Sequence, residues 1–165
     1  MSVYIALHKD RKKGVVIDMK KIAIGCDPNA EEQKMDLIRY LSKLGYEITD
    51  MGSEDPIYAH TAFQVADAVA NGCYDNGILL CGTGLGMCIA ANKVKGCYAA
   101  LCTDIYSAER AKKSNDANVA CFGAFTLGIR TIEKLAETFL ASEFEAGGSS
   151  QPKVDCYHEY DLARG

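Results

Sequence analysis

From residue 22 onward, short apolar runs alternate with longer stretches in which apolar residues recur every three or four positions. The runs cover residues 22–26, 47–51, 77–81, 97–102 and 119–122, and each is followed at once by Gly, Asp or Thr. Runs that are apolar throughout predict parallel strands buried on both faces. Between them, residues 30–44 put Met35, Ile38, Leu41 and Leu44 on one helical face, with Gly45 as a stop. Residues 61–71 repeat the pattern with Ala62, Val65, Ala66 and Val69 ahead of Gly72. Residues 86–94 and 105–114 predict shorter helices, and residues 131–144 a clearly amphipathic one. Five strand–helix units in succession predict an α/β fold, a three-layer α/β/α sandwich of Rossmann-like type around a five-stranded, mostly parallel sheet.

A chain of 165 residues is the length of one domain. Residues 1–18 do not share the pattern. They read as an N-terminal extension ahead of Met19-Lys20-Lys21, which resembles a natural start, and their apolar run at 3–7 would suit an added edge strand. Residues 19–148 form the expected domain. Residues 149–165, which follow Gly147-Gly148, read as a tail that packs only if something receives it. The balance of 18 basic against 22 acidic residues leaves a net charge of −4 and argues against a nucleic-acid binder driven by counterion release. No apolar run is long enough for a transmembrane helix. The 8 cysteines include no C-x-x-C pair and follow no signal peptide, so reduced thiols and a cytoplasmic location are expected.

Sheets of this kind bind ligands beyond the carboxyl ends of their strands. Those ends carry Cys26-Asp27, Cys81-Gly82-Thr83-Gly84, Thr103-Asp104 and Gly123-Ala124. In Cys81-Gly82-Thr83-Gly84-Leu85-Gly86-Met87, three glycines join a buried strand to a helix. Such a turn can aim its backbone N–H groups at one point, and the helix start adds positive potential, which favours a thiolate at Cys81. The loop is thus an anion cradle or an oxyanion hole beside a thiol, or simply a tight turn with a buried cysteine. A dinucleotide site fits less well. The spacing is G-x-G-x-G with Met87 at the final glycine position, and the loop follows the third strand, although Asp104 lies about 20 residues on, as a ribose-binding acid would. Cys26, Cys81, Cys102 and Cys121 all stand near strand ends, where a tetrahedral metal site is a further option. Without short ligand spacings, four separate core thiols is the simpler reading.

Met19-Lys20-Lys21-Ile22-Ala23-Ile24-Gly25-Cys26-Asp27, the loop of residues 77–86, Ile89-Ala90-Ala91-Asn92-Lys93, Tyr106-Ser107-Ala108-Glu109, Asn115-Asp116-Ala117-Asn118 and Phe139-Leu140 with Glu143-Phe144-Glu145 closely resemble the ribose-5-phosphate isomerase type B and galactose-6-phosphate isomerase family. The resemblance runs in order from Met19 to about Gly148. It implies an aldose–ketose isomerase acting on a sugar phosphate, of the ribose 5-phosphate to ribulose 5-phosphate type, through an enediol and without metal or organic cofactor. By resemblance Cys81 is the base, the amides of Gly82, Gly84 and Gly86 hold the oxyanion, and Thr83 moves protons between the oxygens. Asp27 and Asn115 orient sugar hydroxyls, Tyr58 stands near the site, and Lys153 is left to meet the phosphate. The family's pocket forms between two subunits, which implies a homodimer or homotetramer. Neither nucleic acid nor membrane is an expected partner. Asp27 also suits a helix cap, Asn115 and Tyr58 also suit ordinary loop hydrogen bonds, and His60 and His158 read as exposed polar residues.

The chain departs from the family at five places. Pro28 and Ser114 stand where relatives place histidines, the second of them the one thought to open the sugar ring. Phe125 and Ser149 stand where relatives place arginines, and Lys153 replaces another arginine. Arginine forks bind phosphate bidentately, so the phosphate-holding half is rewritten while the proton-abstracting half is kept. Several readings stay open. In one, Lys153, Arg110, Lys112, Lys113 or Arg130 supplies the charge. In another, the substrate is a different sugar, unphosphorylated or short. In the others, the chain is one subunit of a hetero-oligomer, or a non-catalytic sugar-binding relative.

Overall fold

Residues 19–52 and 54–164 are described by a computed structural model. The expected N-terminal extension, with its edge strand at residues 3–7, lies outside the described residues. Five strands, β1 (Lys21–Cys26), β2 (Glu47–Asp50), β3 (Asn76–Cys81), β4 (Ala99–Leu101) and β5 (Val119–Gly123), form one sheet in the order β2-β1-β3-β5-β4. Every pairing is parallel, with Cys26 beside Leu80 and Cys81 beside Gly123. The helices α1 (Glu31–Lys43), α2 (Tyr58–Ala70), α3 (Leu85–Ala91) and α4 (Ile105–Lys113) connect the strands, and α5 (Ile129–Ala141) and α6 (Gln151–Ala163) follow β5.

The period-2 alternation of the strands divides the core between the two faces of the sheet. Ile22, Ile24, Cys26, Ile78, Leu80, Ala120 and Phe122 meet Leu37, Leu41, Ala108, Ile132, Leu135 and Phe139 of α1, α4 and α5. Ala23, Leu79, Cys81, Val119 and Cys121 meet Ala62, Val65, Ala66, Val69, Met87 and Ala91 of α2 and α3. The three inner strands are buried as expected. The edge strands β2 and β4 are only half covered, because each lacks one neighbour.

On the second face α2 lies unusually close to the sheet. A Cβ on Gly25 would stand 2.6 Å from Thr61 Cγ2, and one on Gly77 would stand 2.9 Å from Val65 Cγ1. The two glycines therefore let α2 settle onto β1 and β3, which fixes where its first residue, Tyr58, is held. That helix begins three residues earlier than the apolar pattern predicts. The Asp55 carboxylate accepts from Ile57 N–H at 2.7 Å and meets His60 Nδ1 at 2.9 Å, which closes a turn ahead of the first helical residue. β4 is shorter than its apolar run because Cys97 and Tyr98 are used in turns, with N–H groups on Val94 O and Asn118 Oδ1.

The tail finds a receiver. Asp161 of α6 accepts from Gly96 N–H at 2.7 Å and Tyr98 O–H at 3.1 Å. Lys95 Nζ donates to Leu162 O and Arg164 O, and Tyr157 O–H donates to Asn115 O. His158 is not simply exposed, since its ring packs 4.5 Å from that of Tyr98 and 5.1 Å from that of Tyr157.

Candidate functional site

β3 delivers Cys81 to the carboxyl edge of the sheet, where its side chain is 5% exposed. The chain then turns through Gly82, Thr83 and Gly84 into α3. Gly84 adopts a left-handed φ of +77°, and a Cβ there would stand 2.5 Å from Leu101 Cδ1 and 2.9 Å from the backbone carbon of Phe122. Only glycine fits both demands. The outcome is a backbone N–H of Gly84 donated to Cys81 Sγ at 3.1 Å. Leu85 N–H reaches Thr83 Oγ1 at 3.4 Å, a long contact that leaves the hydroxyl available.

Two aromatic rings rest on this loop where glycines lack side chains. A Cβ on Gly86 would stand 2.6 Å from Tyr58 Cζ and from its hydroxyl, and one on Gly82 would stand 2.9 Å from Phe125 Cδ2. Phe125 is tied to the loop by its own N–H, donated to Gly82 O at 2.9 Å, while Ala124 N–H donates to Cys81 O at 2.8 Å. Asp27, at the end of the neighbouring strand, is buried. Its N–H donates to Leu80 O, and its Oδ1 accepts from Asn29 N–H at 2.8 Å, so it does cap the 3-10 turn that carries Pro28. Cys81, Gly82, Thr83, Gly84, Gly86, Tyr58 and Asp27 thus lie at the ends of adjacent strands.

Asn115 and Lys153 do not join them. Asn115 precedes β5, and Gly77 opposite Val119 marks the amino edge of β3. From there to Cys81 the strand rises about 13 Å. α6, which carries an exposed Lys153, packs against Asn115 and residues 95–98 at that same amino end. The five loops that follow the strands contain no lysine or arginine but do contain Asp27, Glu54, Asp55 and Asp104. Nearby in the first turns of α1 and α5, Lys34 pairs with Asp50 at 2.7 Å and Arg130 with Glu133 at 2.9 Å. Lys112 is buried at the amino end, with Nζ on Asn76 Oδ1 and Ala117 O. That burial pulls its amine below the usual lysine range.

The four strand-end thiols separate. Cys26 and Cys102 belong to one face of the sheet, Cys81 and Cys121 to the other. Burial pushes the thiols of Cys26 and Cys102 up to about 12, so they serve as core residues. Among the described residues, no group of three or more His, Cys, Asp and Glu side chains is placed to hold a metal ion. Asp104 is an N-cap, with Oδ1 accepting from Ser107 N–H at 2.8 Å. The feature that sequence reasoning missed is Lys34, fully buried beside Asp50 at the edge of a cavity of about 370 Å³ that also involves Glu31, Glu54 and Asp55. Its spacing of three, four and seven residues from Leu37, Ile38 and Leu41 puts it on the buried stripe of α1, the one signal that could have found it.

Residues 22–156 match a family described as Ribose/Galactose Isomerase. The chain is 49% identical over 144 residues to the ribose-5-P isomerase B of Listeria innocua serovar 6a, covering 86% of this chain and 97% of that one. It is 45% identical over 147 residues to the D-erythrulose-4-phosphate isomerase of Pectobacterium atrosepticum, covering 87% and 96%. The solved structure of Clostridium thermocellum ribose-5-phosphate isomerase B superposes with a TM-score of 0.81 at 38% identity, over 86% of this chain and 97% of that one.

Proposed function

Because the chain belongs to the ribose/galactose isomerase family, whose relatives are sugar-phosphate isomerases, we propose that it interconverts an aldose phosphate and a ketose phosphate through an enediol, with Cys81 as the base. Relatives are named for ribose 5-phosphate and erythrulose 4-phosphate, so the substrate class is a short sugar with a terminal phosphate. The Cys81 thiolate takes the proton from C2. The electron pair moves through the C1–C2 bond to the carbonyl oxygen, and the loop amides stabilise the resulting enediolate. Thr83 passes a proton from O2 to O1, and return of the Cys81 proton to C1 completes the ketose. No atom is gained or lost, so no redox cofactor is required.

The observation that carries this reading is the Gly84 N–H on Cys81 Sγ within a turn of obligate glycine. A purely structural cysteine needs no amide aimed at its sulfur. Asp27 and Tyr58 would then orient hydroxyls from the same side. Asn115 and Lys153 stand at the far edge of the sheet, so they reach a substrate only if a second copy supplies them, which supports a homodimer or a larger even assembly. The same requirement would be met by a different subunit in a hetero-oligomer. A cytoplasmic location suits the reduced thiols.

Proton NMR in deuterated water tests the reading. Incubation with ribose 5-phosphate, erythrose 4-phosphate and galactose 6-phosphate should show C2 deuteration or ketose formation with at least one ester, and Cys81→Ala should abolish it while the fold persists. Undiminished turnover in Cys81→Ala removes Cys81 as the base. Silence of the native protein across all three sugars removes the isomerase reading.

A further inference from the structure

Phe125 has no packing reason to be where it is. Its side chain is 71% exposed, and a phenyl ring left in water forgoes the gain of burial. Yet the ring is not loose on the surface. It leans on the Cα of Gly82, the residue that follows Cys81, and a Cβ at that position would lie within 3.0 Å of its Cδ2 and Cε2 atoms. Hydrogen bonds from the backbone of residues 124 and 125 to Cys81 O and Gly82 O index it to the thiol. At the other end of the same loop the ring of Tyr58 leans on Gly86 in the same way. The loop that holds the reacting carbons is therefore walled at both ends by aromatic rings. One wall carries a hydroxyl and the other is wholly apolar.

We propose that Phe125 sets the chain length this site accepts, its ring closing the Gly82 end so that a four-carbon sugar phosphate is preferred over five- and six-carbon ones. The inference rests on the isomerase reading above and deepens it. With C1 and C2 held at Cys81, every further carbon extends the substrate away from the thiol, and a fixed ring beside Gly82 shortens the space for it. The ring also presents no charge, so it can contact C–H groups but cannot anchor the distal phosphate. Size, not charge, is then what this position reads.

The test is a comparison of kcat/KM for the phosphates of erythrose, ribose and allose in the native protein, Phe125→Ala, Phe125→Leu and Phe125→Tyr. The native protein should prefer the four-carbon ester. Phe125→Ala should lower the four- to five-carbon ratio at least tenfold, chiefly through increased turnover of the ribose ester, a gain that a merely destabilised variant does not produce. Phe125→Leu should fall between, and Phe125→Tyr should keep the native ratio. A ratio in Phe125→Ala within threefold of native, or a native preference for the longer sugars, overturns the role of Phe125 while leaving the isomerase intact. A native protein inactive on all three overturns both.

Discussion

Replacing Gly84 with alanine is the most direct challenge to the geometry on which the site depends. The substitution adds one carbon, and two costs follow. An L-residue held at a φ of +77° costs roughly 1–2 kcal/mol. The new Cβ also meets Leu101 Cδ1 at 2.5 Å and the Phe122 carbonyl group at 2.9–3.1 Å. Leu101 can rotate, but Phe122 belongs to β5, hydrogen-bonded in the sheet interior, so the clash is not relieved cheaply and adds roughly 1–3 kcal/mol. The sum, about 2–5 kcal/mol, is a large fraction of an ordinary domain's stability. Gly45→Ala isolates the first cost, because Gly45 has a φ of +94° with nothing within 4 Å of a Cβ. Urea unfolding should therefore show Gly84→Ala about 1–3 kcal/mol less stable than Gly45→Ala. In the proposed reaction Gly84→Ala should also lose at least about a hundredfold in kcat, since the displaced N–H is the donor on Cys81 Sγ. Equal destabilisation of the two variants would refute the tight fit against β5. Native kcat in Gly84→Ala would refute the role of its amide.

Two further outcomes follow from the other end of the sheet. The Gly96 N–H, then the Tyr98 hydroxyl and the charges of Arg164 and Lys95, hold the Asp161 carboxyl below the usual aspartate range; because the folded value is the lower one, its contribution is complete above roughly pH 4 and is lost as pH falls through the folded value. Protection factors for amide exchange over residues 151–163 should therefore fall below about pH 4, and Asp161→Asn should remove that step; native protection factors unchanged from neutral to acid pH count against the docking. Mixing Cys81→Ala with the double variant Asn115→Ala/Lys153→Ala under subunit exchange should restore turnover that neither has alone, and absence of restoration would show that both halves belong to one subunit.

What the chain's pattern made legible was whatever depends on local periodicity. The inner strands β1, β3 and β5 are continuous apolar runs because both their faces are covered, and the glycine turn after Cys81 announces itself by spacing. Relations between elements were not legible. Cys26, Cys81, Cys102 and Cys121 look alike in sequence, but Cys26 pairs with Leu80 and not with Cys81, a one-residue offset that puts the two thiols on opposite faces. α6 was missed for a different reason. Its apolar residues follow no stripe, with Val154 buried while Tyr160 and Leu162 are exposed, because hydrogen bonds from Gly96, Tyr98 and Lys95 hold it instead. Tyr58 was recognised by resemblance, but its contact with Gly86 depends on how deeply α2 sinks over Gly25 and Gly77.

The charge distribution constrains how the proposed site must be assembled. A sugar phosphate carries close to two negative charges, yet the loops beyond the strands offer four acids and no lysine or arginine. The backbone donors of the turn into α3 can hold an enediolate, but they carry no full charge to set against a phosphate. Lys93, Lys95, Arg110, Lys113 and Lys153 all stand toward the amino end. There Arg110 and Lys113 are engaged by Glu145 and Glu109, and Lys95 by the last carbonyls of α6. If two copies meet so that each lays its amino end on the other's carboxyl end, the contact is isologous and one interface completes two sites.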